Sequence, residues 1–327
     1  MQIEMNEKEL EKYCDVIYDI ISKDTIVNTN GSNKVICDYY KKSSFFYRNF
    51  HSKEGAMHLP IKLSDKESNK EKLLHQAESI HAIINNYDYL NILELGCGMG
   101  FNTNYLATKN PEKRFTGIDL EPTNLKFAQR KSKKVNRALF YQMDYDEMKE
   151  PSAKYDLIFA IETLCHSKNL IGLLDNLSNY LSDKGRIIIF DGYIKSGEAS
   201  LTKEFEKHAY NLLSWGFALD GFQKIDTILE PNILNGLEII NVEDLSENVI
   251  SYLLTFQRAS IKTLKYPFFL KMLLRTRIIP LAFIKQISAG LLLPYFLKSG
   301  YLGYYKLEFQ KSTLSNKGFA SVGGQCE

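Results

Sequence analysis

The chain has 327 residues, is 44% hydrophobic and carries a formal net charge of +2. That length suits one elaborated domain or two small ones, and a charge so near neutral gives no reason to expect a nucleic-acid partner. Five cysteines, Cys14, Cys37, Cys97, Cys165 and Cys326, are scattered with no Cys-x-x-Cys pair. Neither a zinc cage nor a disulfide framework is therefore indicated, no metal is expected, and a reducing, cytoplasmic compartment is. The opening stretch lacks the basic start and apolar core of a secretory signal. The most apolar stretch, around residues 278–297, is interrupted by Pro280, Lys285, Gly290 and Pro294, so a membrane-spanning helix is not expected.

Apolar positions at Leu10, Tyr13, Ile17 and Ile20 predict a helix over 6–22. A polar loop, "SKDTIVNTNGSNK", follows, then an aromatic-rich piece, "DYYKKSSFFYRNFHSKEGAMHLPI", and a second helix over 66–86. From there the pattern alternates. Strands are expected at 91–95, 114–120, 138–144, 155–162 and 186–193. Helices are expected after Gly100, closed by Pro111, and over 122–136 and 169–185. Such alternation implies βαβ units and a parallel sheet. Beyond residue 197 it stops: 200–222 reads as helix, 237–246 as a strand, 248–298 as helix-prone and apolar, and 300–311 as a last strand of alternating aromatic and polar residues. The small, polar tail after it is expected to fray.

The first strand and turn read "LELGCGMG" (93–100), with Gly96, Gly98 and Gly100 at alternate positions. A dinucleotide fingerprint needs its third glycine at 101, where Phe101 stands, and a P-loop needs a Gly-Lys-Ser/Thr that is absent. Glu94 lies inside the apolar strand, Asp119 ends the second strand and Asp144 the third. A carboxylate at Asp119 can accept both hydroxyls of a ribose, and one at Asp144 can accept from an adenine amino group. Acids at consecutive strand ends, with no base in the turn, suit a cationic, phosphate-free nucleoside and repel a pyrophosphate.

"LELGCGMGFNTNYLA", "FTGIDLEPTNLKFAQRK", "FYQMDYDEM" and "YDLIFAIETLCHSKN" resemble the ordered motifs of class I S-adenosylmethionine-dependent methyltransferases over residues 88–193. The resemblance implies an α/β Rossmann-like sheet, mostly parallel with an antiparallel last strand, plus N-terminal helices and a helical C-terminal cap. It implies S-adenosylmethionine as cofactor, with Glu94, Gly96, Cys97 and Gly98 at its methionine end. Asp119 and Leu120 would lie at the ribose, Asp144 and Tyr145 along the adenine, and Ile161 toward the sulfonium. It also implies an organisation: a lid segment over 1–87, a cofactor-binding core over 88–195, a substrate cap over 196–299 with one core strand near 237–246, and the last strand and tail over 300–327. "IETLCHSKN", an acid with a His four residues on, and the aromatic N-terminal segment resemble the branch acting on sterols, tocopherol-type quinols, prenyl diphosphates and other small lipophilic molecules.

Methyl transfer from a sulfonium is an in-line displacement that must exclude water, and a nucleophile carrying a proton needs a base. Glu162 and His166 are the candidates by position, with Tyr40 of the cluster Tyr39, Tyr40, Phe45, Phe46 and Tyr47 as a third group at the reacting centre. An aromatic cluster there can cover the cofactor and surround a cation, or simply pack a helix on the sheet. His51 and His58 read as loop residues, and Cys165 as inert.

From Asn248 to Leu307 there is no Asp or Glu, while Arg258, Lys262, Lys265, Lys271, Arg275, Arg277, Lys285, Lys298 and Lys306 are spread through it. Three readings stay open: a basic apolar face (258–298) on an anionic membrane, a pocket for an acceptor with an anionic head, or a helical cap whose charged face is simply solvated. Elaborations of this kind usually build a substrate pocket or an oligomer interface, here a homodimer contact. The acceptor is expected to be a small, lipophilic or amphipathic molecule methylated on carbon or oxygen. The alternatives are a non-catalytic cofactor-binding partner, an N-methyltransferase of a polar metabolite, and an NAD enzyme.

Overall fold

In a computed structural model the described residues are 7–21, 26, 32–133, 138–149, 153–195 and 201–312, without the side chains of Phe45, Phe46 and Phe50. Most of the expected polar loop, the 134–137 end of the second core helix and the tail lie outside them.

The apolar runs place five parallel strands: β1 (Asn91–Leu95), β2 (Arg114–Asp119), β3 (Ala138–Gln142), β4 (Tyr155–Ile161) and β5 (Leu181–Ile194). In β4, Leu157 to Ala160 are wholly buried on both faces, as a sheet covered on two sides demands. β6 (Leu237–Asp244) and β7 (Leu302–Lys311) complete the order β3-β2-β1-β4-β5-β7-β6, with β7 antiparallel to both neighbours. The expected antiparallel last strand is therefore interior, and the 237–246 strand holds the edge.

Before the sheet come α1 (Glu7–Ile20), α2 (Asn33–Phe46), a π-helical turn at Tyr47–His51 and α3 (Asn69–Asn86). A capping box between Ser68 and Glu71 starts α3. The sheet helices are α4 (Phe101–Lys109), α5 (Pro122–Ser132) and α6 (Leu170–Ser178). Pro122 at the first helical position and Glu121 as N-cap fix the start of α5. The helix expected over 169–185 stops at Ser178, because Leu181 already pairs with Tyr155 and belongs to β5.

The cap holds α7 (Glu204–Gly216), α8 (Ile225–Leu229), α9 (Ser246–Leu264), α10 (Pro267–Arg275) and α11 (Leu281–Lys298). The helix expected over 200–222 ends at Gly216, and Ala218 follows in the left-handed region at φ +57°. α11 runs straight through Lys285, Gly290 and Pro294, where the sequence suggested interruption. By length and composition it could cross a membrane, but 72% of it is buried inside the protein. It is apolar on all sides because it is the central helix of the cap. Lys285 is tolerated there because its ammonium stands 5.0 Å from the ring centre of Trp215 and 5.7 Å from that of Tyr39.

Candidate active site

The β1 turn is held open by backbone geometry. Gly96 and Gly98 sit at φ +60° and +51°, where other L-residues are strained. A Cβ on Gly96 would overlap the Thr163 side chain. The Gly98 N–H donates to Asp119 Oδ2 (2.8 Å) and the Glu121 N–H to Asp119 Oδ1 (2.8 Å), so the ribose candidate also pins the turn. Glu94 accepts from the Thr103 N–H (3.0 Å), the Asn102 amide (3.2 Å) and the Thr103 hydroxyl. These bonds tie β1 to the first turn of α4 and answer the cost of a carboxylate in an apolar strand. At the other end Asp144 accepts from the Asp146 N–H (2.9 Å) and from the Asn33 amide (2.5 Å). Tyr145 is buried and donates to the Thr163 carbonyl (2.7 Å).

One cleft at the carboxyl ends of β1, β2 and β4 gathers these groups. Asp119, Leu120, Asp144 and Tyr145 line one end and Glu94, Cys97, Gly98 and Ile161 the other, with Gly96 between. α2 roofs it: Ile36, Cys37 and Tyr40 face the cleft and Asn33 reaches across to Asp144.

A second cavity adjoins it. Tyr40 borders both ends of the cleft and this cavity, and Glu162 and Met57 are shared between cavity and cleft. Its walls are Leu59, Phe217, Phe222, Leu293, Leu297 and Tyr304. Glu162 sits at φ +51°, a strained position for a non-glycine residue that recurs at functional sites. Its Oε1 accepts from the Leu59 N–H (2.7 Å) and the Tyr304 hydroxyl (2.9 Å), and Oε2 has no protein partner among the described residues. His166 Nε2 lies 2.9 Å from the Tyr40 hydroxyl, while its Nδ1 is buried and unpartnered.

Among the described residues, no Lys or Arg borders the cleft or the cavity. Burial pushes four of the carboxyls there upward: Glu94 to about 7, Asp119 and Asp191 to about 6, and Glu162 to about 8. The same desolvation lowers His166 and His58 to about 4, so both imidazoles are neutral at pH 7. His58 Nδ1 lies 3.3 Å from the Leu59 carbonyl and must donate to it, which leaves a bare lone pair on the buried, unpartnered Nε2. Asn102 Oδ1 is likewise an unpartnered acceptor, and both residues line the methionine end. Two unpaired acceptors and a lining rich in carboxyls, without Lys or Arg among the described residues, fit an ammonium-bearing, sulfonium-bearing nucleoside. They do not fit a pyrophosphate, and S-adenosylmethionine, rather than NAD, matches the donor set.

Residues 93–187 match the family model described as a methyltransferase domain. The core is a class I methyltransferase domain. The chain is 30% identical over 115 residues to malonyl-[acyl-carrier protein] O-methyltransferase 2 of Ilyobacter polytropus, covering 35% of this chain and 44% of that protein. It is 26% identical over 165 residues to sterol 24-C-methyltransferase ERG6 of Saccharomyces cerevisiae, covering 48% and 41%. The chain thus spans less than half the length of these curated relatives. Its fold matches the cyclopropane synthase MmaA2 of Mycobacterium tuberculosis with a TM-score of 0.69 at 11% identity, over 87% of this chain and all of that one.

All nine cofactor candidates of the methyltransferase border the one cleft, and the three catalytic candidates meet at its mouth. Three expectations change. His58 is a wall of the cleft, not a free loop residue. His51 is structural: its Nε2 donates to the His58 carbonyl (2.9 Å) and its Nδ1 accepts from Tyr252 (2.7 Å). None of the basic residues between Arg258 and Lys306 lines the acceptor cavity, so an anionic head group has no partner there. Sequence reasoning also missed Tyr304, Asp191 and Leu59. Asp191 carried the signal that marked Asp119, an acid at a strand's carboxyl end; Tyr304 showed only aromatic alternation, and Leu59 showed nothing.

Proposed function

We propose that this methyltransferase transfers a methyl group from S-adenosylmethionine to a small lipophilic acceptor that carries no anionic group. The observation that carries the reading is the largely aromatic and aliphatic cavity, with no Lys or Arg among its described lining residues, that opens onto the cofactor cleft past Tyr40 and Glu162. When bound, the cofactor supplies an electrophilic methyl on a positively charged sulfur. The chain's part is to hold the acceptor, exclude water and take a proton.

Glu162 and His166 compete for that last role, and their basicity decides between them. A carboxyl at about 8 is a far stronger base than an imidazole at about 4. Glu162 Oε2 is unpartnered, and Tyr304 and the Leu59 N–H hold the other oxygen in place. Glu162 accepts the acceptor's proton, whether that proton leaves a hydroxyl during transfer or a carbon after it. Tyr40, anchored by His166, closes the roof over the reacting atoms. A second reading, a proton relay from Tyr40 to His166 during oxygen methylation, is favoured by their 2.9 Å contact alone.

The test is a panel of matched acceptors, each a lipophilic alcohol, amine or alkene beside its carboxylate or diphosphate counterpart, followed by release of S-adenosylhomocysteine. The neutral or amine member is expected to turn over. Preferential turnover of the anionic members would overturn the reading.

A further inference from the structure

We propose that α10 and the turn after it form a docking surface for an anionic lipid bilayer. Tyr266, Phe268, Phe269, Met272 and Ile278 are exposed, Phe268 by 83% and Tyr266 and Ile278 by about two thirds. No other stretch of thirteen described residues gathers as many exposed large apolar side chains. Exposed apolar groups clustered in this way mark an interaction face.

The charges around it name the occupant. Lys262, Lys265, Arg275 and Arg277 are exposed at its rim and take no part in an ion pair among the described residues. On the flank where α10 meets α1, Lys271 pairs with Asp19 at 3.3 Å, and Asp15 and Glu11 of α1 lie beside Lys8 and Lys12 next to Pro267. A second copy of the chain is disfavoured, because a two-fold contact would set these same cations opposite one another. An anionic surface instead meets each of them, while the aromatic rings settle at head-group depth.

The patch is an anchor and not a substrate port. α9 and α11 pack side by side, and Leu281 lies twelve residues along α11 from Leu293 of the acceptor cavity. That separation is about 18 Å of helix. Burial of α11 within the protein keeps the contact peripheral.

The experiment is co-sedimentation of the full chain with vesicles of phosphatidylcholine alone or mixed with phosphatidylglycerol. Phe268→Ser/Phe269→Ser and Arg275→Ser/Arg277→Ser are compared with the wild type, and thermal melting reports the fold. Sedimentation with the mixed vesicles only, released by salt and weakened about tenfold or more in both variants with melting unchanged, is the expected result. Equal partition to both vesicle types, no sedimentation, or variants that bind like the wild type would overturn the proposal. So would a wild-type dimer that the phenylalanine variant converts to monomer.

Discussion

The two halves of the active site are built differently. The floor of the cofactor half is backbone and short carboxylates at the ends of β1, β2 and β3, within residues 94–146 and roofed by α2, and these residues brace one another: Asp119 holds Gly98, Glu94 holds the start of α4. The acceptor half is made of large side chains from α2, the 57–59 loop, the 217–222 segment after α7, α11 and β7, separated by up to 264 residues from Tyr40 to Tyr304. A site braced locally keeps its shape while the chain around it changes. A site walled by distant elements changes its shape whenever one of them is exchanged, so on the proposed reading specificity is set by α2, the 57–59 loop and the cap.

Mutations should separate the halves. The largest effect is expected at their boundary. Glu162→Gln should lower kcat/KM by roughly 10²–10⁴-fold, with affinity for S-adenosylhomocysteine, measured by calorimetry, within about threefold. The wild-type kcat/KM should rise with pH toward a limb near 8, the value to which burial lifts Glu162, and this limb should vanish in the variant. A wild-type profile flat from pH 6 to 9 would assign the proton elsewhere.

Asp119→Ala strikes the other half. Loss of two charge-assisted hydrogen bonds from the turn, and of the ribose partner, should weaken S-adenosylhomocysteine binding about 100-fold. Gly96→Ala forces a side chain into a left-handed backbone position and into Thr163. It should cost roughly 2–3 kcal/mol in denaturant unfolding, and the acceptor walls should not compensate.

Stability against pH gives a subtler contrast. Glu162 titrates near 8 in the fold and at its ordinary, lower value unfolded. Between those values the unfolded chain is ionised and the folded one is not, so stability falls as pH rises through that window and levels off above 8. Glu162→Gln should therefore match the wild type near pH 4 and exceed it by ~2–4 kcal/mol near pH 8. Smallest of all, Tyr304→Phe removes a donor that favours the ionised Glu162. The kinetic limb should move to higher pH, with stability changed by about 1 kcal/mol or less.

The same local-versus-distant contrast governs what could be read in the sequence. β1, its turn and Asp119 were legible because short, mostly apolar strands alternate with helical stretches and the acids stand at or just past the strand ends. Glu162 and His166 were legible because they follow β4 directly. Tyr304 was not, because only the antiparallel insertion of β7 between β5 and β6 brings it to Glu162. α11 misled for a related reason: Pro294 and Lys285 read as breaks, yet a helix enclosed by the cap buries Pro294 and gives Lys285 two aromatic rings. His58 passed as a loop residue because its burial comes from Phe101 and the cleft, not from its neighbours in the chain.

The acids without a basic partner have one more consequence. With Asp119 and Asp191 titrating near 6, Glu94 near 7 and Glu162 near 8, the cleft and its adjoining cavity store hydrogen ions at neutral pH, chiefly on Glu94 and Glu162. A cationic occupant strengthens each acid and drives part of that store into solution. The heat of binding S-adenosylmethionine should then depend on which buffer absorbs the release, while the uncharged sulfur of S-adenosylhomocysteine should make the dependence smaller.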